Sequence, residues 1–215
     1  MVQHSSTFKA FRIEEIDGHF QGSIKEMELG TLSNNEVLVK VHYSSLNYKD
    51  ALSASGNKGV TRNYPHTPGI DAVGTIEKSN SDLFTIGEKV IVTSYDLGMN
   101  TDGGFAEYVQ VPAEWAVKLP KKMTMKEAMI YGTAGLTAGM SVLRLTELIA
   151  PNRGKIAVSG ATGGVGALSV SILSKLGYSV VAITGKETER DYLISLGAEE
   201  VLLRSEIENF NKKPL

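Results

Sequence analysis

The chain has no cysteine among its 215 residues. That absence excludes disulfides and every metal site built on thiolates. It also argues against a small secreted domain, which would ordinarily be stapled. Neither sign of charge dominates: 22 Lys and Arg face 24 Asp and Glu, a formal net of −2. No global attraction to nucleic acid or to an anionic membrane surface follows from that balance. The N-terminus, Met-Val-Gln-His-Ser-Ser, lacks the apolar stretch of a signal peptide. Two uncharged runs, 128–143 and 156–173, are the longest candidates for a membrane span. The first falls short of the roughly 20 apolar residues required. The second is broken by Gly160, Gly163, Gly164, Gly166 and several serines. Both read as buried segments of a soluble protein, expected in the cytoplasm. What is present is an ordinary globular composition, 42% hydrophobic and 21% charged, of a length for one large or two small domains.

Two grammars follow each other along the chain. Up to about residue 120 the pattern is β-rich. Segments 8–13, 36–46, 69–77, 88–94, 105–111 and 115–119 have strand character, most clearly where Val37, Val39 and Val41 alternate with Leu38, Lys40 and His42. Turn signals separate them: Thr67-Pro68-Gly69, Ile86-Gly87-Glu88 and Asp102-Gly103-Gly104. From Thr124 the pattern is helical. Thr124 and Glu127 have the spacing of a capping box, in which hydroxyl and carboxylate each satisfy an orphan amide. This helix is expected to break or tighten within 132–137, to resume to Ile149, and to end at Pro151-Asn152. Strand 155–159, helix 164–176, strand 179–184, helix 187–196 and strand 200–203 complete a β-α-β-α-β series, the opening of a doubly wound parallel sheet. The expected division is a β-rich module over residues 1–122 and a dinucleotide-binding module over 123–215. Such sheets usually have six strands. Only three precede Leu215, so the chain is expected to be part of a longer protein, and the 205–215 tail to be polar and uncapped.

The strand Ile156-Ala157-Val158 leads into Ser159-Gly160-Ala161-Thr162-Gly163-Gly164-Val165-Gly166. This matches G-x-G-x-x-G with Ala161 in place of the first glycine. Gly163 lets the backbone approach a pyrophosphate, and Gly166 lets the helix pack on the strand. The helix N-terminus then offers free amides and the positive end of its dipole. A tight structural βα turn is the alternative. After the second strand, NAD-preferring sites place an acidic residue that binds the ribose 2′-hydroxyl. Here the position reads Thr184-Gly185-Lys186, with Arg190 and Arg204 nearby in sequence. A hydroxyl and cations suit a 2′-phosphate, so NADPH is expected over NADH.

With both modules in view the chain resembles the medium-chain dehydrogenase/reductase superfamily. Within it, the likeness is to the zinc-free quinone oxidoreductase branch and its acrylyl-CoA reductase (NADPH) subfamily. The residues that carry it are Ser44 to Leu52, Pro68 to Gly74, Gly103 to Tyr108, Gly132 to Ala138 and Ser159 to Gly166. The resemblance implies an α/β architecture, a GroES-like N-terminal domain followed by a partial Rossmann sheet. Zinc-dependent relatives hold the metal with two cysteines and the His of a Gly-His-Glu triplet. The aligned triplet here is Gly69-Ile70-Asp71, and there is no cysteine, so no metal ligand set is expected. What remains is hydride addition to a polarised C=C bond, for which the cofactor supplies most of the chemistry.

The protein must then stabilise an enolate with hydrogen-bond donors. Tyr48 and Asn47 are the residues expected in that catalytic role. By resemblance, the cofactor contacts fall on Tyr48, Thr162, Gly163, Gly164, Val165, Thr184, Gly185, Lys186 and Arg204. Thr133 and Thr137 either face the nicotinamide or pack within their helix. Asp50 reads equally as a helix-terminal carboxylate or a catalytic one, and Lys49 as a substrate-attracting or a solvated cation. His66, before the Pro68-Gly69 turn, is expected in a turn or at the surface. Lys121-Lys122 and Lys212-Lys213 read as solvated faces. The substrate class implied is a small enoyl thioester, acryloyl-CoA first, or a quinone or enone. A homodimer is implied for the longer protein. A non-catalytic NADPH-binding protein and an S-adenosylmethionine-dependent methyltransferase are the competing classes. The glycine loop, Lys186 and the β-rich module speak against the methyltransferase.

Overall fold

The computed structural model describes residues 7–208. The expected signal-free N-terminal residues 1–6 and the end of the polar tail, with Lys212 and Lys213, lie outside them. The chain divides into two compact units, Met1–Thr133 and Ala134–Leu215.

The first unit opens with an antiparallel hairpin, β1 (Thr7–Ile16) and β2 (His19–Glu28). β2 was not expected from the sequence. Most of its residues are exposed, so its alternation of apolar and polar residues is faint. The available signal is Asp17-Gly18, both at positive φ, the dipeptide that closes a two-residue hairpin whose twist matches its strands. β3 (Glu36–Tyr43), β4 (Asp71–Ser79), β5 (Lys89–Thr93), β6 (Tyr108–Pro112) and β7 (Ala116–Lys118) form a five-stranded antiparallel sheet in the order β6-β3-β4-β5-β7. Val37, Val39, Ala72, Ile76, Val90, Val92, Val109 and Val111 are buried from this sheet, with Phe84 and Leu97 from the loops. β-branched side chains at every second position fill one pleated face at little rotamer cost.

Between β3 and β4 lies α1 (Tyr48–Ala54). It starts where the Asp50 carboxylate turns back to accept the Asn47 backbone N–H at 2.8 Å. Helix α2 spans Met125–Thr146, with its capping box in place: Thr124 donates its N–H to Glu127 Oε2 at 2.7 Å, and Glu127 N–H reaches Thr124 Oγ1 at 3.2 Å. The break expected within 132–137 falls at Gly132, whose φ of 49° and ψ of −152° are not helical. Ala128 and Met129, ahead of the break, pack with Val73 of β4. The first turns of α2 therefore pack with the β-rich unit, and the first compact unit ends at Thr133.

The second unit contains a parallel sheet ordered β10-β9-β8, from β8 (Lys155–Ser159), β9 (Ser179–Thr184) and β10 (Glu200–Leu203). α3 (Gly164–Lys175) connects β8 to β9, and a short 3-10 turn with α4 (Arg190–Ser195) connects β9 to β10. α5 (Arg204–Glu208) follows directly. The core joins Val170 and Leu173 of α3, Val180 and Ala182 of β9, Leu193 of α4 and Val201 of β10. Tyr178 is buried beside them and donates its hydroxyl to the Ile149 carbonyl at 2.6 Å. Burying Tyr at so small a cost requires that partner. No helix among the described residues is long and apolar enough to cross a membrane.

Candidate active and cofactor-binding residues

In the first unit the expected catalytic pair stands at the start of α1. Tyr48 is 81% exposed, so its phenol is not a packed core tyrosine. Asn47, one residue earlier, donates Nδ2 to Oδ2 of Asp71 at 2.9 Å. Asp71 opens β4 and is fully buried. Its carboxylate also accepts the Thr133 N–H on Oδ2 at 2.9 Å. On Oδ1 it takes the hydroxyls of Thr93 and Thr133, at 2.5 and 2.7 Å. A buried carboxylate without a cation must be satisfied by donors in this way. Asp71 was not among the residues expected to act. Its only sequence signal was its place in the Gly69-Ile70-Asp71 triplet.

Thr133 is thereby assigned to Asp71 through both its amide and its hydroxyl. The break at Gly132 makes this possible, because an unbroken helix would spend the Thr133 N–H on a carbonyl four residues back. Asp50 is buried as well, and it accepts the N–H groups of Asn47 and Ile70 at 2.8 and 2.9 Å. Burial pushes its carboxyl above the usual Asp value, against the pull of those two hydrogen bonds. It is a structural clasp between α1 and the strand entry. A recess of about 260 Å³ beside this network is lined by Lys49, Ile70, Ser94, Tyr95, Leu97, Met99 and Thr133.

His66 departs from expectation. It is only 3% exposed, with Nδ1 3.5 Å from Asp102 Oδ1 and Nε2 buried without a hydrogen-bond partner among the described residues. Its backbone pairs in both directions with Ile13 of β1, at 2.7 and 2.9 Å. The strand that pairs with it lies far away in sequence, so its burial could not be read from its neighbours in the chain.

The second unit holds the remaining residues. At the exit of β8, Gly160 turns at φ 63° and its carbonyl accepts the Gly163 N–H at 2.9 Å. Gly163 is extended and caps α3. A Cβ on Gly166 would run into the Gly160 carbonyl oxygen, so only glycine lets the helix approach this turn. Thr162 is half-buried in the turn, and Gly164 and Val165 are exposed at the helix start. The backbone N–H groups of Gly164 and Val165 are the first of α3, where a helix has no internal acceptor to offer them.

Across the sheet, Thr184 is buried at the end of β9, and its hydroxyl accepts the Lys186 N–H at 3.0 Å. Gly185 and Lys186 are exposed, and the Arg204 guanidinium lies about 4 Å from where a Gly185 Cβ would stand. Lys186 and Arg204 have no ion-pair partner among the described residues. Arg190 is committed elsewhere, donating Nη1 to the Val201 carbonyl at 2.9 Å. The unit thus joins an amide-rich βα turn to a hydroxyl and a cation at the end of β9 and a second cation just after β10, a donor set that fits the phosphates of a dinucleotide. Thr137, half-buried in α2, is part of this same unit.

Comparison with known proteins finds similarity along nearly the whole chain. Residues 33–121 match the alcohol dehydrogenase GroES-like domain. The chain is 45% identical over 212 residues to the putative quinone oxidoreductase YhfP of Bacillus subtilis, covering 98% of this chain and 64% of that protein. It is 43% identical over 199 residues to the probable acrylyl-CoA reductase AcuI of Escherichia coli, covering 92% and 61%. The crystal structure of YhfP with NAD bound superposes with a TM-score of 0.92, over 98% of this chain and 64% of that one. That of the yhdH oxidoreductase of Salmonella enterica in complex with NADP gives 0.90 at 42% identity, over 96% and 63%. The chain spans a little under two thirds of the length of each of these proteins. With a GroES-like sheet ahead of a parallel sheet, the chain is similar along nearly all of its length to oxidoreductases of the medium-chain dehydrogenase/reductase superfamily.

Proposed function

We propose that the protein reduces the C=C bond of a small enoyl thioester, acryloyl-CoA to propanoyl-CoA, with NADPH and without a metal. The observation that carries the reading is the state of Asp71. In the Gly69-Ile70-Asp71 triplet it presents no ligand set for a cation, because both its oxygens are engaged by Asn47, Thr93 and Thr133. A site built from hydrogen-bond donors suits the stabilisation of an enolate better than the activation of an alcohol. The identity to an acrylyl-CoA reductase supports the substrate class.

Bound NADPH would supply the hydride. Its pyrophosphate is assigned to the turn of Thr162, Gly163, Gly164 and Val165, where Gly163 lets the backbone approach and the amides of Gly164 and Val165 have no acceptor within α3. Its 2′-phosphate is assigned to Thr184, Gly185, Lys186 and Arg204. Tyr48 and Thr137 are assigned to the nicotinamide side. Asn47, with one Nδ2 hydrogen on Asp71, keeps a second for the thioester oxygen, and the Tyr48 hydroxyl is free to orient substrate or cofactor. Lys49, which lines the recess, is assigned the attraction of an anionic carrier.

Quinone or enone reduction by the same hydride transfer is the second reading, favoured by the likeness to YhfP. Parallel assays of NADPH oxidation with acryloyl-CoA and with a small quinone separate the two. A higher kcat/KM for acryloyl-CoA is expected. A much higher value for the quinone reverses the order, and cofactor binding without turnover of either acceptor points to a non-catalytic role.

A further inference from the structure

We propose that Asp71 is a positioning residue that sets the orientation of the Asn47 amide. The inference rests on the reading of Asn47 as an enolate donor. Its basis is an asymmetry around the buried carboxylate. Among the described residues, Oδ2 faces only N–H donors, Asn47 Nδ2 and the Thr133 amide, each at 2.9 Å. Neither can become an acceptor. Oδ1 faces only hydroxyls, those of Thr93 and Thr133, which also lie 3.0 Å from each other. Hydroxyls donate or accept as their rotors turn.

The amide of Asn47 has two faces of opposite polarity, and only one serves an enolate. With Nδ2 held inward by Asp71, the second hydrogen of the same nitrogen remains for a developing oxyanion. The amide oxygen faces the Asp50 N–H in the capping box of α1. Without Asp71 the nitrogen loses its anchor and the amide is held from one side alone, so it can turn that oxygen outward, where it would repel the charge. The same carboxylate oxygen holds the Thr133 N–H, so the break at Gly132 and the Asn47 amide share one anchor.

The asymmetry dictates the conservative variant. In Asp71→Asn the new amide nitrogen can point at Thr93 and Thr133, whose hydroxyls rotate to accept. The remaining oxygen then still serves Asn47 and Thr133 N–H. Asp71→Ala removes both anchors.

The test compares Asp71→Asn, Asp71→Ala, Asn47→Ala and the Asn47→Ala/Asp71→Ala double variant. Each is checked for folding by thermal melting. Two readouts are taken: kcat and KM for acryloyl-CoA, and the side-chain amide ¹H–¹⁵N resonances of Asn47, assigned by their loss in Asn47→Ala. Asp71→Asn is expected to keep those resonances and to hold kcat within about threefold. Asp71→Ala is expected to move them to free-amide positions and to lower kcat about 30-fold or more with KM little changed. The double variant should match Asn47→Ala alone, because the two residues act as one unit.

Additive losses in the double variant, unmoved Asn47 resonances in folded Asp71→Ala, or equal damage from Asp71→Asn and Asp71→Ala each overturn the proposal. If the parent protein turns over no acceptor, the functional reading fails separately, and the Asn47 resonances still decide whether Asp71 holds the amide.

Discussion

A Cβ on Gly132 would stand 2.6 Å from Oδ2 of Asp71 and would also strike the Ser45 hydroxyl. The backbone there, at φ 49° and ψ −152°, is one that L side chains rarely adopt. Gly132→Ala therefore meets strain and overlap together. It is expected to destabilise the first unit by at least about 2 kcal/mol. Chemical denaturation followed by tryptophan fluorescence checks this; Trp115 packs against the core of that unit. An unchanged midpoint would mean that the break relaxes freely, and the shared anchor with it.

Gly166→Ala tests the βα turn. The added methyl meets the Gly160 carbonyl and the Ala161 Cα, both backbone atoms that cannot swing aside. The turn must open, and the amides of Thr162 to Val165 lose their arrangement. NADPH affinity is expected to fall about tenfold or more, or 1.4 kcal/mol. Titration of the nicotinamide fluorescence measures it, and wild-type affinity in the variant would remove the turn from the cofactor site.

Lys186 and Arg204 test nucleotide preference. Each offers a cation with no competing carboxylate among the described residues. Lys186→Ala is expected to weaken NADPH about tenfold and to leave NADH nearly unchanged, the loss of one charge-assisted contact to a 2′-phosphate. An unchanged NADPH/NADH ratio refutes the assignment. The measurement is pointed, because one relative was crystallised with NAD and another with NADP.

His66 predicts a pH dependence. Burial pushes its imidazole below the ordinary value of 6.5, the Gly98 backbone and the Asp102 and Asp96 carboxylates pull it up, and Arg12 pushes it down. The net shift is downward, so the unfolded chain binds the proton more readily than the fold does. This contribution to stability is complete above pH 6.5 and is lost as pH falls from there through the folded value. Asp50, raised by burial, has the opposite sign and cannot produce the same loss. The melting temperature is expected to drop between pH 7.5 and 5.5, and the drop to shrink in His66→Gln. A wild-type melting temperature flat over that range would contradict it.

The positions of β8, β9 and β10, the break near Gly132 and the Thr124–Glu127 cap were legible in the sequence because each is a local device. Strand periodicity, a capping pair three residues apart and a helix-breaking glycine act through near neighbours in the chain. The glycine turn was legible for the same reason, since Gly160 and Gly166 meet within one βα connection. The missing cysteines likewise removed the thiolate ligands without any coordinates.

Asp71 was decided by tertiary structure alone. Its donors come from positions 24, 22 and 62 residues away, and no periodicity encodes such a meeting. His66 is buried beside β1 through a bridge to Ile13, a pairing that no local pattern encodes. Thr133, ambiguous as one more residue of an uncharged helix, found its role only because the backbone breaks beside it. Composition and spacing determine which elements form and which ligands are impossible. Which buried carboxylate meets which amide depends on long-range packing, where a hydrogen bond is fixed by the geometry of elements far apart in sequence.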